Sequence, residues 1–241
     1  MIQKYEIHSD TKIAEVIREN PYLLLLLEHF EISLPVKDLN IKQICAQNNI
    51  SETIFVVFAR LFNGSASMPV LTPTPDDTLT IVKFLKTSHR YYSEQIYPEI
   101  MELIERMNQL NNHKEMKLVS VFFANYFKEV TDHLDYENQV FFPYVTRLAA
   151  QLKNGIATKS GNSNSVEQYR DHHDDIEEKL VDLKNLLLKY LPVHQDHIIR
   201  RKLFFMLSEL EFDLKIHSDI EEHILIPFCL KLEKEIKLIS S

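Results

Sequence analysis

Four histidines and two glutamates, His89, His133, Glu137, His173, His217 and Glu221, stand at spacings suited to holding a metal ion. A single shift of 84 residues superposes His89 on His173, Glu94 on Glu178, His133 on His217, Glu137 on Glu221 and Pro143 on Pro227. Each half of this repeat reads H-x4-E, a long gap, then H-x3-E-x5-P. Agreement at such distinctive positions over one ungapped shift marks an internal duplication of a helix pair. His113 also maps onto His197, but both fall in expected inter-helix connections and read as surface histidines.

A His and a Glu four residues apart on a helix are ordinarily an exposed pair worth a few tenths of a kcal/mol. Apolar periodicity argues for the core instead. The second long helix carries the stripe Val119, Phe123, Tyr126, Val130, His133, Glu137, Val140, Tyr144, and the fourth Leu203, Leu207, Leu210, Leu214, His217, Glu221, Ile224, Phe228. The first gives Val82, Leu85, His89, Tyr92, Ile96, Ile100, Leu103, and the third Val166, Tyr169, His173, Ile176, Leu180, Leu183, Leu187. Each helix thus points one histidine inward, and two add a glutamate. Ionised carboxylates buried without compensation lose several kcal/mol of hydration each. A metal supplies that compensation, and neutral imidazoles with carboxylates able to bridge suit a pair of iron ions. Structural zinc favours a closed, thiolate-rich tetrahedron, and magnesium and calcium favour oxygen. The alternative is a metal-free core network in which His and Glu bond only one another. The ferritin-type E-x-x-H signature does not occur in the chain.

The elements that must carry these residues are long helices. Three glycines and nine prolines in 241 residues are too few for the turns of a sheet protein. Gly64 opens GSASMPVLTPTP, while Gly155 and Gly161 lie in NGIATKSGNSNS, and these stretches divide the chain. The expected organisation is a small helical N-terminal domain over residues 1–63, a linker over 64–75 and an up-and-down four-helix bundle over 76–241. Bundle helices are expected near 76–110, 115–148, 164–190 and 197–235. In the N-terminal domain they are expected near 11–19, 21–30, 40–48 and 51–63, with Ser51 as an N-cap.

Lys and Arg number 27 against 35 Asp and Glu, a net charge of −8, so no overall basic footprint invites nucleic acid or anionic lipid. Cys45 and Cys229 are the only cysteines, which excludes a disulfide scaffold and fits a reducing cytoplasm. The most apolar stretch, Pro21 to Leu27, is far short of the roughly 20 residues that cross a membrane, and no secretory leader is expected.

The pattern H…H-x3-E…H…H-x3-E resembles the hemerythrin-like domain, and the layout of a helical head, linker and bundle is most similar to the di-iron repair of iron centres proteins. Similar local segments are His89 with Glu94-Gln95 and Pro98, His133 to Glu137 before Phe141-Phe142-Pro143, His173-Asp174, and His217 to Glu221 before Pro227. The resemblance carries over His89, His133, Glu137, His173, His217 and Glu221 as the ligands of two iron ions. His172 is the rival to His173 but lies about 100° off the stripe. An oxygen-carrying hemerythrin shows H-x3-H on its third helix, where this chain has Glu177, read as an exposed charge with a further ligand as the alternative. The family's Cys-Cys turn is replaced by Glu31-Ile32-Ser33-Leu34-Pro35-Val36-Lys37, without cysteine. With each glutamate bridging and two histidines per iron, about four of six positions per metal are filled by protein. The rest are expected to take an oxo or hydroxo bridge and a small ligand such as dioxygen, peroxide or nitric oxide. The resemblance implies a role in nitrosative or oxidative stress, repairing damaged iron–sulfur proteins by iron donation or nitric oxide reduction. Tyr92, Tyr126 and Tyr169 lie near ligands and read as core residues rather than as hydrogen-bond donors that orient those ligands.

Residues 41–63 have the helix, short polar turn and second helix of a DNA-binding head, which raises an alternative: a gas sensor whose head binds DNA or a partner protein. No basic residue lies between Lys42 and Arg60, which speaks against phosphate contacts. The apolar run Tyr22 to Leu27 is expected to dock on the chain's own bundle, or on a second copy in a homodimer.

Overall fold

The computed structural model describes residues 6–65, 71, 74–111, 114–155, 166, 169, 178–191 and 196–239. Every regular element among them is helical. Four short helices come first: α1 (Ile13–Glu19), α2 (Leu23–His29), α3 (Ile41–Asn48) and α4 (Glu52–Phe62). They lie within two residues of the expected positions because their end signals are local. Asn40 and Gln43 form a reciprocal capping box at α3, with Gln43 N–H donating to Asn40 Oδ1 at 2.9 Å and Asn40 N–H to Gln43 Oε1 at 3.0 Å. Asn49 closes α3 in the left-handed region at φ 54°, and Ser51 accepts from the Ile54 amide at 3.5 Å as the expected N-cap of α4. Asn40→Ala is expected to lower stability by about 1 kcal/mol, read from the urea midpoint; no shift would mean that the cap is redundant.

The long rods follow. The first runs through α5 (Pro75–Tyr91) and α6 (Tyr97–Asn111), the second through α7 (Lys114–Tyr136) and α8 (Phe142–Asn154). The third is described over α9 (Glu178–Lys189), and the fourth runs through α10 (His197–Ile220) and α11 (Ile226–Ile239). This is the four-helix bundle with a helical N-terminal region that the glycine-poor composition implies. No helix among the described residues is long and apolar enough to cross a membrane.

The chain divides into two compact units. One comprises Met1–Ser88, Phe141–Arg170 and Ile216–Ser241, the other His89–Val140 and Asp171–Lys215. In the first, α8 packs along α11, where Tyr144 Oη donates to Glu233 Oε1 at 2.6 Å. Its N-terminal helices gather on Phe84 of α5, whose ring centroid lies 4.8 Å from those of both Phe30 and Phe58, 5.3 Å from His29 and 6.4 Å from Phe62. Leu23, Leu25, Leu26 and Leu27 are buried here, while Tyr22 and Leu24 remain exposed. In the second unit α6 packs along α7, and α9 also meets α7. Asp196 there accepts from Arg200 at 2.9 Å and from Asn111 at 3.0 Å.

Candidate metal centre

Among the described residues, three of the rods pass through a widened turn beside the expected ligands. A π-helical turn, Tyr92–Ile96, follows His89; a second, Glu137–Phe141, begins at Glu137; a third, Glu221–Leu225, begins at Glu221. In such a turn the amide reaches five residues back instead of four, as when Tyr97 N–H donates to Tyr92 O and Ile226 N–H to Glu221 O. Each turn ends two residues before a proline, Pro98, Pro143 or Pro227. Proline has no N–H, and its ring collides with the carbonyl four residues earlier, here that of Glu94, Gln139 or His223. A wider turn ahead of the proline relieves that conflict, and all three of those residues lie on the exposed side of their rod.

The extra residue resets the register downstream. Val140, expected on the inward stripe, is only half-buried, and Phe141, Phe142 and Val145 occupy the core instead. On the fourth rod Leu225 and Cys229 join Ile224 and Phe228 inside. Upstream of the turns the stripes hold: Val130, Tyr126 and Phe123 are buried, as are Leu214, Leu210 and Leu207.

In the second unit the carboxylate of Glu137, 0% exposed, meets two imidazoles. His133 Nε2 lies 3.1 Å from Oε1 and His89 Nε2 lies 3.3 Å from Oε2. Burial alone pushes this carboxyl up, but the hydrogen bonds and charges of His133 and His89 together outweigh it and hold it well below the usual carboxylate range. Glu137 is therefore an anion at neutral pH. His89 is buried, and His133 is the more open ligand candidate at 13% side-chain exposure.

In the first unit His217 Nε2 lies 3.4 Å from Glu221 Oε1, and both residues are buried. The other ring nitrogen, Nδ1, lies 2.9 Å from Ser88 Oγ. His173, His172 and Glu177 lie outside the described residues, as does His113. Of the third stripe, Val166, Tyr169, Leu180, Leu183 and Leu187 are buried. Glu94, although part of the repeat, is exposed. Tyr97 Oη donates to Tyr126 Oη at 3.3 Å and Tyr169 stacks on Phe141 at 3.7 Å, which gives two of the three tyrosines core roles.

His89, Glu137, His217 and Glu221 are all buried and each offers one atom able to ligate a metal ion. Imidazole nitrogen with carboxylate oxygen and no thiolate is a donor set for a transition metal rather than for calcium or magnesium. The cysteines stand apart from this chemistry. Burial, with Glu52 nearby, pushes the Cys45 thiol up to about 12, and burial with Glu233 nearby raises Cys229 as well. Neither is expected to react with a disulfide reagent in the native protein, and both should react once it is unfolded in guanidinium; rapid labelling of the folded chain would contradict their placement.

Residues 80–229, well over half of the chain, match the model of the Hemerythrin HHE cation binding domain. No curated protein matches the sequence at a significant level.

Proposed function

The chain belongs to the hemerythrin HHE cation-binding domain family, and from that premise we propose that it is a non-haem di-iron protein of the nitrosative and oxidative stress response. In this reading it binds nitric oxide, dioxygen or peroxide and supports the repair of damaged iron–sulfur clusters in client proteins, by iron donation or nitric oxide reduction. The observation that carries the reading is the buried, anionic Glu137 with an imidazole nitrogen at each of its oxygens, accompanied one helix pair later by the buried pair of His217 and Glu221.

His89, His133, Glu137, His173, His217 and Glu221 would hold the iron pair. Iron bound by such ligands supplies redox and small-ligand chemistry. The chain's own part is to fix the donors and keep bulk water out. Glu137 remains a carboxylate because two imidazoles favour its charge, and its own burial, with that of His89, keeps bulk water from it. His133, at 13% the most exposed of the described donors, is the one a small ligand would reach first.

The DNA-sensing alternative needs α4 as a recognition helix. Its residues Ile54, Phe55, Val57, Phe58, Ala59, Leu61 and Phe62 are buried, leaving Thr53 as its one exposed residue. Its one basic residue, Arg60, donates to the Ile7 carbonyl at 2.9 Å. These observations favour a structural role for the head and place the sensor second.

The proposal is tested by adding iron-loaded protein to an iron–sulfur enzyme whose cluster nitric oxide has damaged, with sulfide and reductant present. Recovery faster than with the same amount of free ferrous iron is expected. Equal recovery would refute the repair role, and an unchanged optical spectrum on exposure of the iron-loaded protein to nitric oxide would refute ligand binding.

A further inference from the structure

The buried Ser88 hydroxyl touches two acceptor-capable groups. Its Oγ lies 2.7 Å from the carbonyl oxygen of Leu85, one turn back on α5, and 2.9 Å from Nδ1 of His217. A hydroxyl has one proton and two lone pairs, whereas a carbonyl oxygen only accepts. The short contact to Leu85 therefore takes the proton, as serines in helices commonly do toward the preceding turn. What Ser88 presents to His217 is a lone pair, so Nδ1 must carry the hydrogen. In the neutral ring that leaves Nε2 bare, facing Glu221 Oε1 at 3.4 Å. Two electron-rich atoms aimed at each other are a pair of donors for a cation.

We propose that Ser88 is a positioning residue that fixes the tautomer of His217 and so directs its Nε2 lone pair to the metal. The inference rests on the reading of His217 as a metal ligand. Ser88 would act as the outer-shell acceptor that metal-binding histidines generally use, here a serine instead of a carboxylate or a backbone carbonyl. The device is particular to this ligand: the repeat that relates the two helix pairs places His172, not a serine, at the position equivalent to Ser88.

The test uses the full-length chain labelled with nitrogen-15 at histidine, its His217 signals assigned from a His217→Gln variant. In the metal-free protein His217 is expected to carry its hydrogen on Nδ1. Ser88→Ala is expected to move that hydrogen to Nε2 and to weaken ferrous iron binding by about tenfold to a hundredfold in competition with a chelator. Ser88→Thr, which keeps the hydroxyl, should retain both properties, and circular dichroism identifies any variant that has lost its fold. A hydrogen on Nε2 in the wild type, or a Ser88→Ala variant with unchanged tautomer and affinity, would overturn the proposal. A wild type that binds no iron would overturn the di-iron reading instead, while the tautomer measurement would still decide the part played by Ser88.

Discussion

Replacing Glu137 by alanine is expected to strip the protein of its iron, with at least about a tenfold fall in metal bound per chain under conditions that load the wild type. Glu137 is the anion on which two of the proposed ligands converge, His133 at 3.1 Å and His89 at 3.3 Å. Without it the centre loses one of the two carboxylates that would offset the divalent ions away from water, where uncompensated charge costs several kcal/mol. Glu137→Gln keeps the volume and removes only the charge, so it separates loss of ligation from loss of packing. Parallel elemental analysis of wild type and both variants, with circular dichroism to verify the fold, decides the matter. Wild-type iron in the folded alanine variant would remove Glu137 from the site.

Phe84→Ala is expected to destabilise the protein by about 3–5 kcal/mol. Its ring is the point at which α5 meets the N-terminal helices, in contact with Phe30, Phe58, Phe62 and His29. Truncation leaves a cavity walled by aromatic side chains held on two separate elements, the end of α2 and α4, which cannot both collapse into it. The neighbouring ion pair between Lys83 and Glu31 spans 2.8 Å but is largely solvated, so Lys83→Ala is expected to change stability by less than about 1 kcal/mol. Urea denaturation of the two variants gives the comparison. A Phe84→Ala variant as stable as Lys83→Ala would mean that the head is held by something other than this aromatic cluster.

The inward placement of His89, Glu137, His217 and Glu221 was legible because each interrupts an apolar stripe with helical period, and all four are buried. The ends of α3 and α4 were legible too, since Asn40, Asn49 and Ser51 act on their immediate neighbours. What periodicity alone misses is the widened turn. A stripe drawn at a constant 3.6 residues carries Val140 inward, whereas the turn over Glu137–Phe141 gives that place to Phe141 and Phe142. The signal was present in Pro98, Pro143 and Pro227, each inside a helix where proline removes an amide donor; the recurrence of Pro143 at Pro227 reads as part of the repeat until its backbone consequence is worked out. The role of Phe84 was illegible for a different reason. It lies beside the inward stripe of its own helix, and only the tertiary contacts with α2 and α4 show what it covers. Ser88 was likewise silent, because its significance depends on a residue far along the chain, His217, at 2.9 Å.

Iron per chain, by elemental analysis of wild-type protein purified without oxygen and reconstituted with ferrous iron, decides whether the buried donors hold a metal pair. About two irons per chain are expected, lost in both His133→Ala and His217→Ala. No iron after reconstitution, or binding that survives both substitutions, would contradict that expectation and leave the buried histidines and glutamates as a metal-free network inside a helical protein.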